Sequence, residues 1–325
     1  MKKIRVAING FGRIGRAFFK VASERPELEV VAVNDLGSIE AMEYLLKYDT
    51  VYGKSEHSLK SVRYLSEKEP SALPWKEMDI DVVVESTGLF VSTEKAKVHI
   101  DAGAKKVVIT APVKDDLSPT VLVGINEDKL SSCQISSNAS CTTNAGSPLL
   151  AILDEALGIE KAILNTVHSY TASQALIDGP SKKDLREGRA AAQNIVPFST
   201  GAAIAVTKAM PSLHGLFDGV SIRVPVVAGS IADITFISKK ETSAQEVNEI
   251  LKKASGESRW KGIFSVTEEP LVSSDIIGNP HASIADLAFT RVVGGNLVKV
   301  LAWYDNEMGY THTLVQHVIR AGQSL

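Results

Sequence analysis

"KIRVAINGFGRIGRAFFKVASERPE", Lys3 to Glu27, is the stretch from which the fold can be read. Ile4, Val6 and Ile8 alternate at the period of a strand, and Ile14, Phe18 and Val21 recur at helical spacing. Pro26 closes the helix. Between strand and helix lie Gly10, Phe11, Gly12, Arg13, Ile14 and Gly15, a G-x-G-x-x-G pattern in its required context. The first glycine allows a tight turn, the second lets backbone approach a pyrophosphate, and the third lets helix pack on strand. The helix N-terminus favours the phosphate charge. "LEVVAVND" follows as a buried strand and ends at Asp35, about 20 residues after Gly15. A carboxylate there accepts hydrogen bonds from ribose hydroxyls and repels a 2′-phosphate, so NAD is favoured over NADP. The competing reading is that the glycines serve a tight turn and close packing alone.

Outward from this unit the alternation continues. "SIEAMEYLLKY" reads as a helix with Ser38 as N-cap. "IDVVVEST" and "KKVVITAP" read as apolar strands around a helix near residues 94–102. Strands alternating with helices predict a doubly wound, mostly parallel α/β sheet. After Asn138 the texture changes. A helix from Cys141 to Leu157 is expected, with Gly158 at its C′ position. "KAILNTVHSY" follows, then an irregular polar stretch to Ser199 and a small-residue helix at 201–209. "SIRVPVV", "IADITFIS", "ASIADLAFTRVV" and "LVKVLAWYD" read as long strands with one clear helix between them, near 244–254. That predicts an α+β second domain with a mainly antiparallel sheet. A last helix at 307–320 is expected to return to the first domain. The expected domains are 1–140, completed by 307–325, and 141–306.

The 325 residues suit two domains. A hydrophobic content of 44% supports sizeable cores, and 22% charge is ordinary. The net charge of -3 gives no pull toward nucleic acid or an acidic membrane surface. Cys133 and Cys141 are the two cysteines, too few for a disulfide framework, so a reducing cytoplasm is expected. The basic start has too short an apolar run for a signal peptide, and no stretch reaches the roughly 18 apolar residues of a membrane span. No metal-ligand spacing is present.

"SNASCTTNAG", residues 137–146, sets Cys141 among hydroxyls at the start of the expected helix. Unpaired N–H groups and the helix dipole there stabilise a thiolate, while Ser140 or Asn138 suits the cap. A buried, inert thiol is the equal alternative on composition. His168, at the end of the strand in "TVHSY", would give a nucleophile its acid–base partner, although a lone histidine is more often structural. "STGAA", with Thr200 and Gly201 at a helix start, is a ready anion site. Arg223 inside an apolar strand needs either an anionic ligand or an internal carboxylate.

"INGFGRIGR", "LLKYD", "VVVESTG", "SNASCTTN", "TVHSYTASQ", "GRAAAQNIVP", "STGAA", "RVP" and "WYDNEMGY" occur in that order. Together they resemble the phosphorylating glyceraldehyde-3-phosphate dehydrogenases over almost the whole chain. The resemblance implies a Rossmann NAD-binding domain and a catalytic domain. It makes Cys141 the nucleophile and His168 the group that activates it. Arg13, Ile14 and Asp35 would hold NAD, Thr87 and Thr110 would line its cleft, and Lys68 would lie near the adenine. Asn306 would bind the nicotinamide carboxamide, with Tyr310 close by. Ser140, Thr142, Thr171, Thr200, Gly201 and Arg223 would bind glyceraldehyde 3-phosphate and inorganic phosphate. The implied reaction is NAD-dependent oxidative phosphorylation of that aldehyde to 1,3-bisphosphoglycerate, in glycolysis or gluconeogenesis. It would run through a thiohemiacetal and a thioester on Cys141. A homotetramer is implied, with residues 177–197 helping to build cofactor sites between subunits.

Erythrose-4-phosphate dehydrogenases are similar but typically lack the Thr after "HSY" and the "STG" step, both kept here. Nucleic-acid binding as the main role is disfavoured by the charge and the lack of a basic patch. The chain departs from the family at Ala145, in a shortened region at 54–67, in "VVAGS", at Ile204 and in "GYTHTLVQ". Loss of the Arg223 charge is expected to weaken phosphate binding and to leave the reactivity of the Cys141 thiol nearly unchanged.

Overall fold

Alternating apolar residues near the start form β1 (Ile4–Asn9), and the helical run after the glycine turn forms α1 (Arg13–Ser23). The structure is a computed structural model that describes residues 2–181 and 184–325. The chain continues through β2 (Leu28–Asn34), α2 (Ile39–Lys47) and a small hairpin, β3 (Tyr48–Asp49) with β4 (Gly53–Lys54). The Ser38 hydroxyl accepts the Ala41 N–H at 3.3 Å and caps α2 as expected. Next come β5 (Arg63–Leu65), β6 (Val82–Glu85), α3 (Thr93–Asp101), β7 (Lys106–Ile109) and β8 (Ile135–Ser137). Six of these strands form a wholly parallel sheet in the order β5-β2-β1-β6-β7-β8. The chain runs outward from β1, then crosses back to β6 on its other side, which is the Rossmann order. Every residue of β6 and β7 is buried, as strands covered on both faces must be.

The glycine turn sits where the strand order reverses. A Cβ on Gly10, whose φ is +95°, would lie 2.7 Å from Thr87 N, and one on Gly15 would lie 2.1 Å from Gly10 O. Those two glycines are required by packing. A Cβ on Gly12 would meet nothing within 4 Å. Packing therefore does not require a glycine at position 12.

The second compact unit runs from Cys141 to Tyr310, and the first comprises the chain up to Ser140 with Thr311–Leu325. The second unit opens with α4 (Cys141–Leu157), ended by Gly158 at φ +71°. It continues with β9 (Ile159–Ser169), β10 (Val196–Ser199), α5 (Ala202–Ala209), β11 (Phe217–Val224), β12 (Ser230–Ser238) and α6 (Ala244–Ser255). It closes with β13 (Phe264–Thr267), β14 (Ser283–Asp286), β15 (Arg291–Val293) and β16 (Leu297–Tyr304). The sheet order is β10-β11-β9-β12-β16-β14-β13, with β15 also on β16. Only β9/β11 and β13/β14 are parallel pairs, so the sheet is mainly antiparallel. Helices α4, α5 and α6 pack on this sheet.

Three expectations change in detail. "ASIADLAFTRVV" is two strands, because a 3-10 turn at Leu287–Phe289 separates β14 from β15. The polar stretch before Ser199 holds a 3-10 turn, Leu185–Gly188, and β10. The last helix is α7 (Met308–Gln323). Its C-terminal part is fastened within the first unit. His317 Nδ1 donates to Asn138 Oδ1 at 3.1 Å, and Nε2 accepts from the Ser136 hydroxyl at 2.8 Å. Burial, with Lys106 and Arg320 nearby, pushes the His317 pKa down to about 3, so this imidazole stays neutral. Among the described residues no helix is long and apolar enough to cross a membrane.

Candidate active site

The carboxyl ends of β1, β2 and β6 surround a cleft of about 520 Å³, within the range of ligand pockets. Gly10, Gly12, Asp35, Lys68 and Thr87 line it, as expected. Leu36, Pro70 and Phe90 line it too and were not foreseen, since an apolar residue after a strand carries no signal of its own. Gly12 caps α1 without a side-chain bond, which leaves the cap to a ligand. Asp35 also holds the local backbone. Its Oδ2 accepts the Phe11 N–H at 2.7 Å and its Oδ1 accepts the Gly37 N–H at 2.9 Å. The carboxylate therefore locks the glycine turn while lone pairs remain for hydroxyls. Phe11 itself points into the core, 5.7 Å from the Phe19 ring. The Arg13 guanidinium holds Asp49 at 3.0 and 3.3 Å, and neither Arg13 nor Ile14 is among the residues that line the cleft. Thr110 follows β7, where its N–H donates to Glu85 O at 3.0 Å, outside the cleft lining.

In the second unit, helix α4 and strand β9 bring two candidates together. Cys141 is the first residue of α4, and its Sγ lies 3.3 Å from His168 Nε2. His168 is paired across β9/β11 with Arg223, in parallel register. Arg223 Nη1 lies 2.7 Å from His168 Nδ1 and 2.9 Å from Ser169 O, and Nδ1 is itself 2.7 Å from Ser169 O. Two proton arrangements satisfy this triangle. With Nδ1 accepting from Arg223, Nε2 carries the proton and donates to sulfur. With Nδ1 donating to Ser169 O, Nε2 is bare and takes the thiol proton.

The electrostatics follow from burial and Arg223. Burial, then the Arg223 charge, hold the His168 pKa at about 3, so the imidazole is neutral at physiological pH and available as a base. Burial pushes the Cys141 thiol up, while Arg223 and hydrogen bonds at Thr142 pull against it. Both shifts favour the neutral thiol beside a neutral imidazole. Tyr304, not foreseen, closes the group. Its hydroxyl meets Thr142 Oγ1 at 2.9 Å and Thr166 Oγ1 at 2.8 Å, and its ring stands edge-on to His168 at 5.9 Å.

Arg223 answers its open question. Among the described residues no carboxylate bonds to it, its Nε is buried without a partner, and its guanidinium lies 5.0 Å from the centre of the Phe198 ring. Among the described residues the internal salt bridge is not found. Its charge, beside His168, favours the Cys141 thiolate, so slower alkylation becomes the expected result of losing it.

Asn306 follows β16. Its Oδ1 accepts the Gly229 N–H at 3.1 Å, and the Ser169 and Ser230 hydroxyls at 2.9 and 3.1 Å. A backbone N–H can only donate, which fixes the amide orientation and leaves Nδ2 as a donor. The unusual "VVAGS" segment supplies two of these three hydrogen bonds. Tyr310 is buried at the start of α7. Thr171 bonds Ser173 at 3.0 Å, and Thr200 accepts the Ala202 N–H at 3.1 Å before Gly201, the N-cap of α5. Neither threonine bonds to the Cys141 group. Ser140 immediately precedes Cys141, at the junction of the two units.

Family models agree with this division of labour. Residues 4–93 match the glyceraldehyde 3-phosphate dehydrogenase NAD binding domain, and residues 140–306 match the C-terminal domain of the same family. Similar chains include glyceraldehyde-3-phosphate dehydrogenase 2 of Streptomyces avermitilis, 45% identical over 336 residues. The glyceraldehyde-3-phosphate dehydrogenases of Mycobacterium avium and Mycobacterium tuberculosis are 47% and 46% identical over 341 residues. Each match covers 99% of both chains.

Proposed function

The chain belongs to the glyceraldehyde-3-phosphate dehydrogenase family, and from that premise we propose that Cys141 and His168 carry its chemistry. The enzyme is an NAD-dependent glyceraldehyde-3-phosphate dehydrogenase. The observation that carries the residue assignment is the 3.3 Å approach of sulfur to imidazole beside an arginine with no carboxylate.

The residues fit the cofactor. Gly12 leaves room for a pyrophosphate, Asp35 retains lone pairs for ribose hydroxyls, and Asn306 Nδ2 is free to donate to a carboxamide oxygen. NAD, when bound, supplies the hydride acceptor. His168 Nε2 takes the Cys141 thiol proton as the sulfur attacks the aldehyde carbon, and returns it to the carbonyl oxygen to complete the thiohemiacetal. Its hydroxyl proton passes to His168 Nε2 as the carbon is oxidised. The thioester left on Cys141 is cleaved by inorganic phosphate, which restores the sulfur and releases 1,3-bisphosphoglycerate. The Cys141 N–H, at the start of α4, stabilises the tetrahedral oxygen. Arg223 with Thr171 serves one phosphate group. Thr200 and Gly201 serve the other, with Ser140 and Thr142 beside the sulfur.

A homotetramer is part of this reading. On the sheet face turned from the helices, Ile163 and Val220 are 56% and 51% exposed, which suits self-association. Leu176, Ile177, Leu185 and Ile195 are exposed in or next to the segment assigned to subunit contacts. A cytoplasmic place fits two free cysteines.

The test is NADH absorbance with glyceraldehyde 3-phosphate, erythrose 4-phosphate and an unphosphorylated aldehyde, each with and without phosphate. Turnover with the first substrate that depends on phosphate is expected. Faster turnover with erythrose 4-phosphate overturns the substrate assignment.

A further inference from the structure

Beneath the cleft runs a chain of buried polar side chains that the reaction does not use. Trp75, His99, Glu85, Asn9 and Asn34 are all buried. The Trp75 indole N–H donates to His99 Nδ1 at 3.1 Å. An indole N–H can only donate, so Nδ1 is bare and the ring proton sits on Nε2. Nε2 lies 3.0 Å from Glu85 Oε2 and donates to it. The same oxygen accepts Asn9 Nδ2 at 2.6 Å. Glu85 Oε1 accepts the Thr87 N–H at 2.8 Å and also the Thr87 hydroxyl. Both carboxylate oxygens are thus filled by donors.

The chain goes on beyond the carboxylate. Asn9 Oδ1 accepts Asn34 Nδ2 at 2.7 Å. Asn34 then pairs with the Glu67 backbone, donating to its carbonyl at 2.9 Å and accepting its N–H at 2.8 Å. Thr87 at one end of this chain and Glu67, next to Lys68, at the other both line the cleft, as do Asn9 and Asn34 between them; Thr87 and Glu67 with Lys68 are taken as its two walls. Thr87 cannot turn its hydroxyl proton outward, because Glu85 holds it and the Leu89 N–H donates to its oxygen at 3.1 Å.

We propose that Glu85 is the positioning residue of the dinucleotide cleft. Through Thr87 on one side, and Asn9 and Asn34 on the other, it sets the spacing of the two walls, and His99 held by Trp75 fixes the carboxylate. The walls flank Asp35, so the affinity being set is that for the adenosine end of NAD. The proposal rests on the reading that NAD binds in this cleft.

Glutamine at position 85 has one accepting oxygen instead of two, so one wall loses its tie. NAD affinity by titration calorimetry and the KM for NAD are expected to weaken about tenfold or more in Glu85→Gln, with the effect on KM rather than kcat. His99→Gln keeps an acceptor for Trp75 and a donor for Glu85, and is expected to bind NAD nearly as the wild type does. His99→Leu keeps neither and is expected to lose about tenfold. The His99 pair decides the matter if Glu85→Gln does not fold. Wild-type affinity in Glu85→Gln or His99→Leu with only a lower Tm overturns the proposal. So does equal loss in both His99 variants. Gly12→Val, which fills the space left for a pyrophosphate, separates the two levels. If it retains NAD affinity, the cleft reading fails; if it loses NAD while Glu85→Gln does not, only the positioning role fails.

Discussion

Glu85 in the six-stranded unit and Arg223 in the eight-stranded unit are both charged groups on strands, with opposite surroundings. Donors fill both carboxylate oxygens of Glu85. Arg223 touches a neutral imidazole, a carbonyl and a ring face, and its Nε has no partner. A buried charge that is fully bonded fixes a shape. A partly buried charge without a counter-charge has a desolvation cost that an arriving anion offsets. On the proposed reading the first unit uses its buried polar groups as scaffolding, and the second keeps one for substrate.

The largest test of this contrast removes the nucleophile. Cys141→Ser is expected to lower kcat by roughly four orders of magnitude or more while calorimetric NAD affinity stays in place. Loss of NAD affinity in that variant would break the separation between the units. His168→Asn is expected to cost about a hundred- to ten-thousandfold in rate and to slow alkylation of Cys141 relative to Cys133, read by mass spectrometry. Equal labelling of both cysteines in the wild type would remove the basis for the assignment.

Next comes Arg223→Leu. Removing a charge-assisted hydrogen bond from a dry site costs about 2–5 kcal/mol, tens- to thousands-fold in kcat/KM. Its charge also lowers the Cys141 pKa, so alkylation should slow as well. The Tm should fall only modestly, since two hydrogen bonds but no ion pair among the described residues are lost. A destabilised variant with normal kinetics would sink the phosphate role.

Asp35→Ser sharpens the comparison from the other unit. NAD should bind about ten- to a hundredfold more weakly, and the gap to NADP should narrow. The Tm should fall too, because the Phe11 and Gly37 N–H groups lose their acceptor. A wild-type enzyme that used NADP as readily as NAD would contradict this role.

The smallest effect is in pH dependence. The His317 pKa falls from the usual 6.5 to about 3 on folding. Between those values the unfolded chain binds a proton that the folded chain does not, so stability falls as pH drops from 6.5 toward 3. At pH 5 the loss from one such group is about 2 kcal/mol. His317→Asn should show a smaller drop in Tm between pH 7 and pH 5 than the wild type. An equal drop would assign the acid sensitivity elsewhere, with His168 next to test.

Much of this was legible in the residues. The glycine turn could be read because the apolar period changes from that of a strand to that of a helix across Gly10–Gly15. Helix α4 was bounded by Cys141 and Gly158. What stayed hidden is what pairing across the fold decides. Nothing local tells that Asp35 holds the Phe11 N–H, or that Arg223 lacks a carboxylate. Glu85 did leave a trace, a carboxylate closing a strand otherwise made of buried valines. The break between β14 and β15 was masked by a run of apolar residues with no glycine or proline to mark the turn.

The parallel pairing of β9 with β11 sets His168 beside Arg223, and this governs how such a chain can vary over time. A slip of one residue would turn the arginine to the opposite face of the sheet. Substitutions on the outer face, at Ile163 or Val220, leave the arginine facing the histidine. Deleting a single residue between Phe217 and Arg223 does not, however mild the change in composition. The connection between the two strands is free of this constraint, because its length does not set the register of β9 against β11. Within β11 the count of residues therefore matters more to this contact than their identity at the outward positions.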